Sequence, residues 1–413
     1  MKKLADSGLN FFLLIARQYK QAYSGLPREA WILSLVEVVN RSGTMVFFFM
    51  VLYLTQTFGV SAERAGHVIT SYGLGALLGA YLGGKLTDTL GAYTVQKASL
   101  GLTGMLYILL GQLNSYWLIL PAMFLLGVLG EALHPANATA ISQVCPAELR
   151  TKGFALNRLA ANLGVTIGPV LGGYLALINY KLLFWIDGLT CIIAAFIFHA
   201  FFKNTARPNV NPDTETESDP SIAIGSVFKD TYFLKILVLI FFMGLIFVQL
   251  FSTFSLYCKT VYNFPENYIG LLLAINTTII VCFEMILMEH LKHKQLRHII
   301  AVGSFLLCLG FALMPLGRGF IYAAFTVVIW TCGEMLSLPP LTTLIANHSH
   351  DSVRGKYMGL YSFAFSLSLT VGPTIGTTIY SAYGPNVLWF SCGVMGVLLS
   401  LGFLTIIKEE KTN

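Results

Sequence analysis

Ionisable side chains stand inside several long apolar runs of this chain of 413 residues. Glu37 and Arg41 are four residues apart, so a helix would place them on one face, and Asn40 lies beside them. Glu131 stands in a later apolar run, and His134 follows it by three residues. If these runs cross a membrane, each charge at the bilayer centre costs about 2.5–3.5 kcal/mol, so a functional role is the first hypothesis. Such groups can bind a proton or a polar substrate.

Proton coupling is the chemistry that this pattern favours. An apolar environment and a nearby arginine act in opposite directions on a carboxyl group, so a carboxylate that alternates between them can load and release a proton. We predict Glu131 as the proton carrier. Its predicted coupling partners are Glu37, Arg41 and Arg158. The alternative is structural: permanent ion pairs for the carboxylates, and an Arg158 that extends to the membrane surface.

A second set of residues is predicted to line a substrate cavity. Glu334 joins Glu37 and Glu131 to give three carboxylates against one or two arginines, an excess that favours a cationic or amine-bearing substrate. Aromatic side chains around a few polar groups suit an amphipathic organic molecule, although packing is the alternative for any single ring. The predicted cavity residues are Glu334, Gln249, His134, Asn40, Trp330 and Asn162.

The elements that position these residues are membrane-spanning helices. The chain is 55% hydrophobic and 11% charged, with a mean hydropathy of +0.70, whereas soluble domains carry about 25% charged residues. Twelve apolar runs are each long enough to cross about 30 Å of hydrocarbon. The predicted spans are 31–57, 64–87, 94–113, 116–144, 153–178, 181–203, 233–260, 266–291, 296–316, 319–347, 355–380 and 386–407.

The two halves of the chain repeat each other at an offset of 203 or 204 residues. The matched pairs are Glu131 and Glu334, Pro135 and Pro339, Arg150 and Arg354, and Pro169 and Pro373. A register held over that length indicates an internal repeat. We therefore predict two pseudo-symmetric six-helix bundles in an all-α membrane protein. The predicted organisation is an amphipathic segment at 1–28, a first bundle at 29–203, a cytoplasmic linker at 204–232 and a second bundle at 233–413.

The basic residues predict the orientation. Of the 26 Lys and Arg, twenty fall in the segments that are inside if both termini are cytoplasmic, and four fall outside. Short loops favour a bacterial inner membrane, and we expect a monomer. Because the basic residues are dispersed over loops, nucleic-acid binding is not expected.

The turn after span two carries the first specific resemblance. Gly84, Leu86, Asp88 and Gly91 form a G-x-L-x-D-x-x-G pattern that resembles the conserved loop of the major facilitator superfamily. The resemblance covers the whole chain and implies alternating access by two six-helix halves. The family's basic pair is replaced by Ala92 and Tyr93, so a charge relay from Asp88 would need another cation.

Span five carries the second resemblance. Its GxxxGPxxGG sequence resembles the motif of the drug:proton antiporter branch and implies export by antiport. Proline removes a backbone donor and bends a helix, and the glycines permit close helix packing. The residues concerned are Gly164, Gly168, Pro169, Gly172 and Gly173, with a partial repeat at Gly372 and Pro373 in span eleven.

Span one also resembles the first helix of proton-coupled oligopeptide transporters. Glu37 and Arg41 match that family's E-x-x-E-R pattern, but Asn40 replaces its second glutamate. The resemblance implies an alternative function, proton symport of peptides.

Several classes of mechanism are not expected. The chain has no GxxxxGKS phosphate loop for ATP-driven transport, and its seven cysteines show no metal-ligand spacing. We therefore expect no metal and no cofactor, with the proton gradient as the energy source and a small molecule, protons and the lipid bilayer as partners. The predicted function is a transporter, not an enzyme: an antiporter exporting amphipathic organic compounds, cationic ones among them. The alternative is a proton symporter importing peptides, siderophores or another nutrient.

Overall fold

The computed structural model describes residues 24–202, 224–291, 294–349 and 354–407. Most of the predicted amphipathic segment at 1–28 and of the predicted linker at 204–232 lies outside the described residues. Twelve helices follow the twelve predicted spans in order, and we number them α1 to α12. Their ends agree with the predicted ends within three residues, counting the turn Met314–Leu316 as the end of α9. The all-helical, twelve-span prediction is confirmed.

The first half contains α1 (Arg28–Ser42 and Met45–Thr57), α2 (Ala62–Leu90), α3 (Ala92–Leu110), α4 (Tyr116–Glu131 and Leu133–Val144), α5 (Arg150–Ile178) and α6 (Lys181–Phe202). The second half contains α7 (Thr231–Phe247, Gln249–Ser252 and Phe254–Thr260), α8 (Glu266–Leu291), α9 (Leu296–Ala312), α10 (Phe320–His348), α11 (Arg354–Tyr383) and α12 (Pro385–Ile406). Short 3-10 turns lie at Ala147–Leu149, Ile224–Lys229 and Met314–Leu316.

Ten spans in the described part of the chain are long and apolar enough to cross a membrane by length and composition. The other two helices, α2 and α3, are less apolar than that criterion requires. In α2 the glycines have a packing reason, because Gly75, Gly79 and Gly83 lie against the backbone of α4. A side chain at any of these positions would separate the two helices.

The two halves meet most extensively along two helix pairs, α2 with α11 and α5 with α8, and α1 also contacts α7. The hydroxyls of Thr70 and Thr374 lie 2.7 Å apart across the first pair. In the second pair Gly173 lies against the backbone of Glu266, and Gly270 lies against the carbonyl of Pro169. All these contacts lie toward the end of the bundle that the Lys and Arg distribution predicts to be outside, which we name the outer end. The halves are therefore closed at the outer end.

Candidate proton and substrate site

The sequence of α4 explains how its two ionisable residues come to face a cleft. The helix is interrupted at Ala132. Pro135 contributes to this, because it has no N–H for the carbonyl of Glu131, and its ring collides with that carbonyl. Glu131 therefore ends the first segment, and His134 lies in the first turn of the second.

A second interruption, in α1, lies beside the first. The helix stops at Ser42 and resumes at Met45. The fully buried carboxylate of Asp187 on α6 accepts hydrogen bonds from the backbone N–H groups of Met45 at 3.2 Å and Val46 at 2.8 Å. It thus caps the second segment from a neighbouring helix. Arg41 is held at the end of the first segment.

These two interruptions bring five side chains together. The Arg41 Nε donates to the Glu37 Oε1 at 2.8 Å, and the Arg41 Nη2 lies 2.9 Å from the His134 Nε2. The same His134 nitrogen lies 3.3 Å from the Glu131 Oε2. The hydroxyl of Tyr72 on α2 donates to the Glu131 Oε1 at 3.3 Å. We call this set of five residues the N-half cluster.

The N-half cluster borders a cleft of about 470 Å³, counting its open mouth, inside the first half of the protein. Four of its members, Arg41, Tyr72, Glu131 and His134, line that cleft. The Glu37 side chain is only 6% exposed, whereas that of His134 is 49% exposed. The Glu37 end of the cluster is thus shielded from water, and the His134 end is open to the cleft.

The charge of the N-half cluster is one proton short of neutrality when both carboxylates are ionised and His134 is neutral. Arg41 is the one fixed positive charge among its members, because a guanidinium does not deprotonate in proteins. A single proton on His134 or Glu131 therefore neutralises the group, which is the chemistry needed to bind and release one proton.

Asn40 is the remaining predicted residue at this cleft. It lines the cleft beside Arg41, and its Oδ1 lies 3.4 Å from the Sγ of Cys191. The structure thus brings Glu37, Asn40, Arg41, Glu131 and His134 together. Tyr72 was missed by the sequence analysis, because one tyrosine in an apolar helix carries no signal of its own.

The second half holds a smaller polar group at the mirrored position. Glu334 on α10 accepts a hydrogen bond from the Asn276 Nδ2 at 2.9 Å, and that nitrogen lies 3.1 Å from the Thr331 Oγ1. Asn276 follows Tyr72 by 204 residues, which is the repeat offset. The pair of Asn276 and Glu334 is therefore the counterpart of Tyr72 and Glu131, and the repeat register was the signal that could have found both partners.

The predicted cavity role of Gln249 is not supported. The residue is 3% exposed, and its Nε2 donates to the carbonyls of Leu245 at 2.8 Å and Gly372 at 3.0 Å. Its Oε1 accepts from Ser252 at 3.2 Å and Thr253 at 3.0 Å. The amide is saturated by protein groups, so it holds the interrupted α7 against α11 and has no hydrogen bond left for a substrate.

The predicted cavity role of Trp330 is also corrected. Its side chain is fully buried. The ring stacks on Phe311 of α9, with centroids 5.4 Å apart and planes 10° apart. The fold turns this face of α10 toward α9, so Trp330 belongs to the core of the second half.

Arg158 has a partner other than the predicted one. Its guanidinium pairs with the carboxylate of Glu284 on α8, in the other half of the protein. It does not contact Glu131, which is engaged by His134 and Tyr72. Arg158 thus bridges the halves on the side of the bundle away from the closed outer end. Asn162, one turn further along α5, is half-buried but is not among the residues lining the cleft.

The glycine motif of α5 packs against two neighbouring helices, α1 and α8. Gly164 and Gly168 lie against the end of the first α1 segment, and Gly172 lies against Met45 in the second segment. A Cβ on Gly164 would approach that of Arg41 to 2.5 Å. The next residue, Gly173, faces α8 instead: its Cβ would meet the carbonyl oxygen of Glu266 at 2.6 Å.

The conserved-loop residues lie at the opposite end from the closed seam. Gly91 ends α2 with φ of +86°, a conformation that favours glycine. Asp88 is exposed in the last turn of α2, and no ion pair to it is found among the described residues. Gly84 has open space where a Cβ would stand. In α11, Gly372 approaches Val248, and the Pro373 carbonyl accepts from Thr377 at 2.7 Å.

A twelve-helix bundle in two halves, with charged groups at mid-span, defines a polytopic membrane transporter. The chain belongs to the Major Facilitator Superfamily, whose sequence model matches residues 33–368. The predicted superfamily resemblance is therefore confirmed. Within the part of the chain that is described, no group of three or more His, Cys, Asp or Glu is arranged to hold a metal ion.

Known relatives are similar over most of the chain. An uncharacterised transporter of the superfamily from Bacillus subtilis, YqjV, is 22% identical over 92% of this chain and 94% of its own. A Na(+), Li(+), K(+)/H(+) antiporter from Planococcus maritimus is 22% identical over 87% and 89%. A class H tetracycline resistance protein from Pasteurella multocida is 23% identical over 82% and 85%.

The fold has solved counterparts. The peptide transporter POT in complex with sulfate superimposes with a TM-score of 0.77 at 15% identity, covering 94% of this chain and 97% of the other. At that identity the likeness concerns the fold.

Proposed function

We propose that this protein is a proton-coupled antiporter that exports amphipathic organic compounds, cationic ones among them. The observation that carries the proposal is the N-half cluster, in which Glu37, Glu131 and Arg41 together carry a net charge of −1 that one proton on His134 or Glu131 neutralises at the wall of a cleft. Charged groups at this depth are costly and are retained where ions or substrates pass.

The relatives support export rather than uptake. One is named for tetracycline resistance and another for cation/proton antiport. The GxxxGPxxGG motif of α5 resembles the antiporter branch, and here it packs both on the interruption in α1 and on α8. Those contacts join the candidate proton site to the seam between the halves.

In the proposed cycle, Glu131 and its partners bind the coupling proton, and substrate binds in the space between the halves. Rocking of one half against the other exposes the site to the two sides in turn. A charge that moves down a potential of 100 mV releases about 2.3 kcal/mol, which would sustain roughly fiftyfold accumulation of a neutral substrate for one proton per substrate. When a monovalent cation is exchanged for one proton, no net charge moves and the pH gradient alone supplies the energy.

Glu334 is the proposed counter-ion for a cationic or amine group of the substrate. Its carboxylate is oriented by the amide of Asn276 at 2.9 Å. Its charged neighbours are Glu284 and Arg158, which are paired with each other. Glu334 therefore has no basic side chain of its own among the described residues, and a substrate cation would supply the missing charge.

Proteoliposomes with an imposed proton gradient test the coupling assignment, with a fluorescent lipophilic cation as substrate. Glu131→Gln should abolish gradient-driven transport while retaining exchange of labelled for unlabelled substrate. Glu148→Gln is the matched control, because Glu148 is exposed in the turn before α5. Proton-driven transport with an unchanged pH profile in Glu131→Gln would refute the assignment.

A second candidate function is proton symport of peptides or another nutrient. It is favoured by the Glu37 and Arg41 pair, which resembles the first helix of oligopeptide transporters and is intact at 2.8 Å. The direction of substrate transport separates the candidates. Substrate uptake driven by an inward proton gradient supports symport, and substrate expulsion driven by the same gradient supports antiport.

We further propose that the protein works as a monomer in a bacterial inner membrane, with both termini in the cytoplasm and the proton gradient as its energy source. The Lys and Arg distribution supports the orientation. Labelling of a cysteine introduced at Glu148, predicted to be inside, by an impermeant reagent should occur in inverted vesicles and not in intact cells. The reverse pattern would overturn the proposed topology.

A further inference from the structure

We infer that His134 takes up the coupling proton and in doing so exchanges Arg41 for Glu131 as its hydrogen-bond partner. The inference rests on the proton coupling proposed above. It starts from one atom: the His134 Nε2 lies 2.9 Å from the Arg41 Nη2 and 3.3 Å from the Glu131 Oε2. A ring nitrogen carries either a proton or a lone pair, so it cannot bond to a donor and an acceptor together.

In the neutral state Arg41 decides the tautomer. A guanidinium has only donors, so the His134 Nε2 must accept from it, and the ring proton must lie on Nδ1. Nε2 then carries a lone pair and no proton, so it cannot donate a hydrogen bond to Glu131. Glu131 keeps the hydrogen bond from Tyr72 at 3.3 Å but receives none from His134.

In the protonated state the partners change. A proton taken from water in the cleft binds to Nε2, and the new N–H donates to the Glu131 carboxylate. The Arg41 N–H groups and the imidazolium are then both donors and both cations, so Arg41 withdraws from His134 and keeps Glu37, to which it is bound at 2.8 Å. Release of the proton to water on the other side of the membrane restores the first state.

The surroundings favour His134 as the seat of this proton. The His134 side chain is 49% exposed, so water can reach it. The titratable groups that contact it or line the same cleft are Arg41 of α1, Tyr72 of α2, Tyr107 of α3, Glu131 of its own helix and Cys191 of α6. Glu37 lies behind Arg41, to which it is bound.

The exchange acts on the two interrupted helices. Arg41 is the last residue but one of the first α1 segment, and His134 is the second residue of the second α4 segment. Gly164 of α5 lies against the Cβ of Arg41. The withdrawal of Arg41 from His134 is therefore transmitted to α5, which forms one of the main seams between the halves.

Nitrogen-15 NMR of the full-length protein in lipid nanodiscs, labelled at its eight histidines, tests the inference directly. The His134 resonances are assigned as those lost in His134→Gln. We expect the Nδ1–H tautomer at high pH and the doubly protonated ring at low pH, with a smaller protonated fraction at each pH in Glu131→Gln. An Nε2–H tautomer at high pH, or a ring that does not titrate between pH 5 and 9, would overturn the inference.

Transport measurements separate the inference from the proposed function. In His134→Gln the gradient-driven accumulation ratio of the lipophilic cation, inside over outside the vesicle, should fall to one while substrate exchange is retained. The control His67→Gln, at an exposed position on α2, should behave as wild type. Gradient-driven accumulation in His134→Gln at the wild-type level would also overturn the inference. If the wild type itself shows no gradient-driven accumulation, the proposed function fails, and the NMR titration still decides whether His134 changes partner.

Discussion

Replacing Gly173 with alanine is expected to force the outer ends of α5 and α8 apart. The new Cβ would lie 2.6 Å from the carbonyl oxygen of Glu266 and 2.9 Å from the Cα of Asn267. Both are backbone atoms of α8, so no side chain can move aside. Ordinary contact begins at 3.4 Å, so the helices must separate by about 0.8 Å or leave the closed arrangement.

The energetic size of this perturbation follows from known overpacking. Forcing one methyl group into a close-packed contact costs about 1–3 kcal/mol. Only the state closed at the outer end suffers this cost, so its population relative to the open state should fall roughly 5- to 150-fold. The substitution therefore changes an equilibrium between conformations rather than removing a binding group.

Pulsed electron paramagnetic resonance between spin labels at Asn179 and Tyr383 measures the effect. Both residues are exposed at the outer ends of α5 and α11, one in each half. Gly173→Ala should broaden or lengthen the distance distribution. Gly101→Ala is the matched control, because a Cβ there meets no atom within 4 Å. An unchanged distribution in a folded Gly173→Ala protein would refute the packing argument.

Three further predictions concern contacts outside the N-half cluster. Arg158→Glu should slow transport several-fold by placing like charges across the halves, and Glu284→Arg in the same chain should restore it; lack of rescue would show that the pair does not hold the halves. Gln249→Leu should lower the free energy of unfolding by about 1–3 kcal/mol, because it leaves buried partners unpaired, with substrate affinity unchanged; weaker binding in a stably folded variant would reinstate its cavity role. Burial raises the pKa of Asp230, but hydrogen bonds from Phe233 N, His348 and Tyr357 outweigh it, so the pKa lies below 3.8. Asp230→Ala should therefore lower the unfolding temperature at neutral pH, and the difference from wild type should shrink as the pH falls through that lowered pKa; a difference that acidification leaves unchanged would contradict this reasoning.

Local sequence contributes to the interruption of α4 that builds the site. Pro135 cannot donate the hydrogen bond to the Glu131 carbonyl, where the first segment of α4 ends. Pro169 and Pro339 lie inside helices that continue past them, so a proline by itself does not end a helix in this protein. The interruption of α1 is different. No proline lies between Ser42 and Met45, and the groups that stabilise it are a carboxylate from α6 and the glycines of α5. That interruption depends on contacts between distant parts of the chain.

The same distinction explains the corrections at Gln249, Trp330 and Arg158. Each is a residue type that suits a substrate or proton site, and each lies in a correctly predicted span. Whether its side chain faces the cavity depends on the rotation of its helix, which is set by the neighbouring helices. Periodicity is a weak guide in a membrane, because lipid and protein core are both apolar.

The sequence by itself determined the number of spans, their limits, the internal repeat and the family, because these depend on run length and on motifs that are local in the chain. It also singled out Glu37, Arg41, Glu131 and His134 as candidates, since charge in an apolar run is costly wherever the helix faces. Only the tertiary structure determined which side chains pair with each other. Arg41 and His134 connect α1 to α4, and Arg158 pairs with Glu284 of the opposite half. Gln249 and Trp330 are buried among protein groups. Partner choice is decided by distances of a few ångströms between helices far apart in sequence, which no local pattern contains.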